Sequence, residues 1–158
     1  MENTANKFAP KGRTKIVQGT ILTPELAGLR LVLVPCSVSG KPDTDLYGVL
    51  DRKWKAAKVE LKGWFATHID FKLGNLHTTA TQSDTWCIHA LCMDKDNQVD
   101  EKALVSCIKK LADMAKYEKA SVHVSTLVTD AIPSITDLLT TQLLDKGINV
   151  YFYKELAK

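Results

Sequence analysis

The sequence predicts an α/β fold, a mixed and largely parallel sheet flanked by helices. Three observations carry this. The runs Leu29–Val34, Asp84–Met93 and Ser121–Leu127 are apolar on both faces, as strands covered from both sides are. Amphipathic stretches with apolar residues three and four apart fall between strands, as helices lying on a sheet do. Strands and helices alternate along most of the chain, which favours parallel pairing through crossover helices.

Lys15–Val17 reads as a short strand closing on Gly19, and Thr23-Pro24 as the cap and first position of a short helix. Leu29–Val34 is a buried strand that Pro35 stops, before the polar loop Cys36–Lys41. Leu46, Val49, Leu50 and Trp54 fall on one face of a helix running to about Val59, with Asp51, Arg52, Lys53 and Lys55 on its solvated side. Lys72–His77 and Asp84–Met93 follow as strands. Asp94–Asn97 is a turn, and Asp100 caps a helix over Glu101–Tyr117. Ser121–Leu127 is a strand, Ser134–Leu144 a helix ended by Gly147, and Ile148–Tyr153 the closing strand. The order is β-β-α-β-β-α-β-α-β, with residues 1–13 as a loose arm and 14–158 as one domain.

Composition narrows the function classes. A chain of 158 residues with 45% hydrophobic and 25% charged residues is an ordinary single globular domain. A net charge of +3 gives nucleic acid little to recognise. The four cysteines sit mostly in apolar runs with no CxxC pair, so free thiols, no metal and a cytoplasmic location are expected. No run reaches the length of a membrane span. No Walker loop, GxGxxG, GxSxG or HExxH is present, and no cofactor is implied.

Several stretches resemble the macro domain, the module that binds ADP-ribose and its derivatives. KIVQGTIL is similar to the family's first strand, and LVLVPCSVSG to the strand and loop beside the distal ribose. GNLHTTATQSDTWCIHALCM resembles its middle strands, ASVHVSTLVTDAIPS its phosphate loop, and NVYFYKE its closing strand. The resemblance covers Lys15 to Tyr153 and implies a three-layer fold, with an ADP-ribose-type nucleotide or an ADP-ribosylated protein as partner. It implies ligand contacts from Thr20 and Ile21, from Cys36, Ser37, Ser39 and Gly40, and from Ser125, Thr126 and Thr129. By the same resemblance Asp130 is the best available carboxylate for hydrolysis of an ADP-ribosyl ester, and its alternative reading is a cap or turn residue. The chain departs from the family pattern as well. Thr20 stands where the family has the acidic residue that reads adenine, and Ser125–Ala131 contains no glycine, with Leu127 and Val128 narrowing the approach. The chain also resembles an early protein family of T4-type bacteriophages, which implies host cytoplasm. The alternative reading is a divergent macro fold without ligand that acts on a host protein.

Other residues read as structural. His89 is a core histidine, and Trp64, Phe65, His68 and Phe71 pack over the sheet edge rather than offer a stacking platform for a base. Cys36 reads as a small buried residue rather than a reactive thiol.

Overall fold

The computed structural model describes residues 11–25 and 28–155. Six strands form one sheet: β1 (Thr14–Gln18), β2 (Arg30–Ser37), β3 (Leu76–Gln82), β4 (Thr85–Met93), β5 (Ser121–Ser125) and β6 (Val150–Lys154). Their spatial order is β1-β6-β5-β2-β4-β3. All neighbours are parallel except β3 and β4, which are antiparallel across the connection Ser83-Asp84. The three runs that are apolar on both faces are β2, β4 and β5, and all lie inside the sheet.

The helices are α1 (Asp45–Leu50), α2 (Ala56–Thr67), α3 (Glu101–Glu118), α4 (Thr126–Ala131) and α5 (Ile135–Leu143). His77 of β3 stacks on Trp64 of α2, while its neighbour Thr78 meets Met114 of α3. Successive strand residues face opposite ways, so α2 and α3 cover opposite faces of the sheet. α1 joins the α2 face through Tyr47 and His89, and α5 packs with α3. This is a three-layer fold with its apolar residues in one continuous core.

Caps fix several boundaries as the sequence reading expects. Asp100 Oδ1 accepts the Ala103 N–H at 2.9 Å, and Gly147, at φ 78°, closes the turn after α5. Four readings are corrected. The single helix expected from Leu46 to Val59 is two, broken between Leu50 and Ala56, and the second runs on through Trp64 and Phe65 to Thr67. Trp54 drives the break: it is buried and donates from its indole to Gln82 on β3, so the chain turns inward there. The strand placed at Lys72–His77 begins only at Leu76, because Asp70 and Gly74 hold left-handed backbone and Asn75 ties back to Asp70. β2 continues through Pro35 to Ser37 and keeps its pairing with β4. β5 ends at Ser125, and the expected loop after it is the helix α4.

The helix expected after Thr23 is a turn as far as Glu25, and residues 26 and 27 lie outside the described residues. Residues 1–10 of the expected arm also lie outside them. Gly12 and Arg13 donate their N–H groups to Leu144 O at 2.8 Å and Asn149 Oδ1 at 2.9 Å. No described helix is long and apolar enough to cross a membrane.

Candidate functional site

β2 and β5 pair only over Arg30–Val32 and Ser121–His123, and beyond that they part. The chain leaves β2 toward β4 and β3 on one side, and leaves β5 toward β6 on the other. Where connections diverge like this at the carboxyl ends of parallel strands, open α/β sheets hold a crevice. Pro35 lies on the divergent part of β2 and has no N–H to offer a neighbour. A bulge between Cys36 and Ser37 bends the strand end further.

A cavity of about 270 Å³ occupies this crevice. Pro35 and Met93 line it from the strands, Leu127, Val128, Ala131 and Ile132 from α4 and its end, and Asp43 to Leu46 from the start of α1. Thr44 sits at the N-cap of α1 with extended backbone, yet its hydroxyl caps nothing. Among the described residues its Oγ1 is the one buried side-chain polar atom without a hydrogen-bond partner. An unmet buried hydroxyl costs about 1–3 kcal/mol unless a ligand or water reaches it. Asp43 and Asp45 flank it, and among the described residues no lysine or arginine lines the cavity.

None of the ligand-contact residues singled out in the sequence lines this cavity. Ser37 is buried, donates to Asp94 O, and accepts the Ser39 N–H at 3.1 Å. Ser39 Oγ accepts the Lys41 N–H at 3.3 Å, and the Gly40 N–H donates to Ser37 O at 3.0 Å. The loop after β2 is therefore a turn that satisfies its own polar groups. Gly40 is buried at φ 70°, and a Cβ there would strike the ring of Phe65. Cys36 is buried, and burial pushes its thiol well above the ordinary cysteine pKa.

Ser125 is also buried, and its Oγ accepts the Leu127 N–H at 3.1 Å as the cap of α4. Thr126 is half-buried, and its carbonyl accepts the Thr129 hydroxyl at 3.2 Å. Asp130 is exposed on α4. Ile21 is fully buried, and its N–H donates to Glu155 at 2.7 Å, while Thr20 Oγ1 accepts from Leu22 N at 3.2 Å. Of the lining residues, Leu127 and Val128 were legible as groups that narrow the approach. Asp43, Thr44 and Asp45 are not among the residues the sequence points to, although Asp-Thr-Asp ahead of an amphipathic stretch signals a helix start.

His89 lies in the core between the Tyr47 hydroxyl at Nδ1, 2.8 Å away, and the Thr79 hydroxyl at Nε2, 3.0 Å away. Burial lowers its pKa to about 3, so it is neutral at physiological pH. A similar buried histidine, His123, is held by Ser121 and Tyr153 at 2.7 Å each. Among the described residues, no group of three or more His, Cys, Asp or Glu could hold a metal ion.

No family model and no curated protein matches the chain. Solved structures do match, several of them macrodomains. A macrodomain protein from Streptomyces coelicolor superposes with a TM-score of 0.81 at 20% identity, over 89% of this chain and 98% of that one. The macrodomain of Thermus aquaticus DarG gives 0.67 at 11% identity, over 90% and 99%. Thermosipho africanus DarTG, in complex with ADP-ribose, gives 0.64 at 15% identity, over 79% of this chain and 38% of that one. At these identities the likeness establishes the fold, which is that of macrodomains.

Proposed function

We propose that this protein binds an ADP-ribose-type nucleotide in the crevice where β2 and β5 part. The observation that carries the reading is the cavity at that switch point, which Pro35 and Met93 of the strands, the start of α1 and the α4 segment line together. The ADP-ribose complex of a fold neighbour supports the choice of ligand. The Asp43 and Asp45 carboxylates suit the hydroxyls of a ribose, which donate, and disfavour phosphate. The phosphates would then lie along the Ser125–Ala131 segment. Asp130 is exposed and outside the cavity lining, so the geometry supports binding better than removal of ADP-ribose from a substrate. The resemblance to early proteins of T4-type bacteriophages supports a role in the cytoplasm of an infected host.

One observation favours the second reading, a macro fold that serves as an interaction module. The cavity of about 270 Å³ falls below the usual range for small-molecule sites, about 300–1,000 Å³. Calorimetric titration with ADP-ribose, AMP and NAD separates the two. Binding of ADP-ribose that Ala131→Trp weakens by about tenfold or more supports the first, because the indole would fill the cavity from an exposed position. Absence of heat with all three nucleotides at millimolar concentration leaves the second. Release of ADP-ribose from a modified protein, lost in Asp130→Ala with affinity retained, would add catalysis to the first reading.

A further inference from the structure

The sheet ends at β3, whose outer side pairs with no other described strand. Natural edge strands are protected by charges, prolines or bulges. The seven residues of β3, LHTTATQ, include no charged residue and no proline, and the bulge between Ala80 and Gln82 guards only the far end. The near end is open, and a groove lies on each face of the sheet beside it. On the α2 face, Glu60, Trp64, Ile69 and His77 line a groove of about 530 Å³. On the α3 face, Lys110 and Met114 line one of about 460 Å³. Leu76 and Asp70 belong to both.

We propose that the β3 edge is a strand-addition site for an extended polypeptide carrying a basic side chain. A strand laid beside β3 sends successive side chains to opposite faces, and each face offers one groove to receive them. The chemistry of the α2-side groove selects the side chain. Trp64, Ile69 and Leu76 give an apolar wall for a methylene stem, and the Glu60 and Asp70 carboxylates meet a cationic head. Among the described residues the one lysine or arginine lining either groove, Lys110, is already held by Gly74 O at 2.8 Å and Asn75 Oδ1 at 2.7 Å. His77 shares Glu60 at 3.1 Å and stacks on Trp64, which shapes the groove's floor. Beside the groove, Ile69 is 69% and Leu73 41% exposed, apolar surface that a bound strand would cover. This site lies away from the β2–β5 crevice and does not depend on nucleotide binding.

The test uses three synthetic peptides and the isotope-labelled protein, followed by amide chemical shifts and hydrogen exchange. One peptide alternates Val with Arg, one alternates Val with Glu, and the third is the Val-Arg peptide N-methylated at every second residue. The Val-Arg peptide is expected to shift and protect amides of Leu76–Thr79. The Val-Glu and N-methylated peptides should bind about tenfold more weakly or worse. Exchanging both carboxylates, in Glu60→Lys with Asp70→Lys, should reverse the preference between the Arg and Glu peptides while the other amides keep their native shifts. Equal binding of the Arg and Glu peptides, or no shift on β3 at millimolar peptide, overturns the proposal. Protection of β3 by a second copy of the protein, seen as concentration-dependent dimerisation, overturns it too.

Discussion

At Gly40 one residue decides how the loop after β2 is used. Its φ of 70° suits glycine, and the space a Cβ would need is filled by Phe65 of α2. The glycine that resemblance assigns to a ligand contact is, in this structure, what lets the loop lie flat against a helix. Gly40→Ala is expected to lower unfolding free energy by about 2 kcal/mol or more, from left-handed strain and overpacking together. Urea titration measures it, and a change within about 0.5 kcal/mol would show the loop to be looser than described. The cysteines are likewise decided by burial. All four are buried free thiols, and Cys87 and Cys107 are pushed up to about 12 by it. A thiol-specific colour reagent should find almost nothing in native protein and all four thiols after unfolding. Rapid labelling of Cys36 in the native state would contradict its burial.

α4 shows where an element escaped the sequence. Ser-Thr-Leu-Val-Thr-Asp-Ala continues an apolar strand without a glycine or proline to mark its end, so periodicity alone ran β5 on to Leu127. The switch is set by Ser125, whose hydroxyl caps the first turn from a buried position. Ser125→Ala should therefore cost about 1 kcal/mol of stability. It should leave nucleotide affinity within about threefold, since a capping hydroxyl is not free to serve a ligand. Calorimetry on the variant checks both, and loss of affinity with stability intact would return Ser125 to the ligand. The α1–α2 break was hidden for a different reason. Leu46, Val49, Leu50 and Trp54 satisfy one helical period, but Trp54 reaches Gln82, a long-range partner no local pattern reveals.

At the scale of the whole molecule, the layer order and the interior position of β2, β4 and β5 were legible because burial on both faces leaves continuous apolar runs. The cavity was not, since it arises where β2 and β5 part, a property of pairing rather than of either strand. The same doubly covered sheet explains an expected acid sensitivity. His89 and His123 have pKa values lowered to about 3 by burial, against 6.5 for the exposed group. Below 6.5 the unfolded chain binds the extra protons, so stability is fully present above that value and falls as pH drops toward 3. Each histidine contributes a slope approaching about 1.4 kcal/mol per pH unit. Urea unfolding between about pH 6 and 4 should show this, with the slope cut by about half in His123→Gln. An unchanged slope would mean that carboxylates, not these histidines, govern the acid limb.

The central claim, that the crevice between β2 and β5 holds the nucleotide, is tested most directly by mapping amide shifts as ADP-ribose is titrated into labelled protein. The expected result is a saturable set of shifts confined to Asp43–Leu46, Met93 and the Ser125–Ile132 segment, with the β3 edge unmoved. Saturable shifts elsewhere on the protein, with these segments silent, would contradict it.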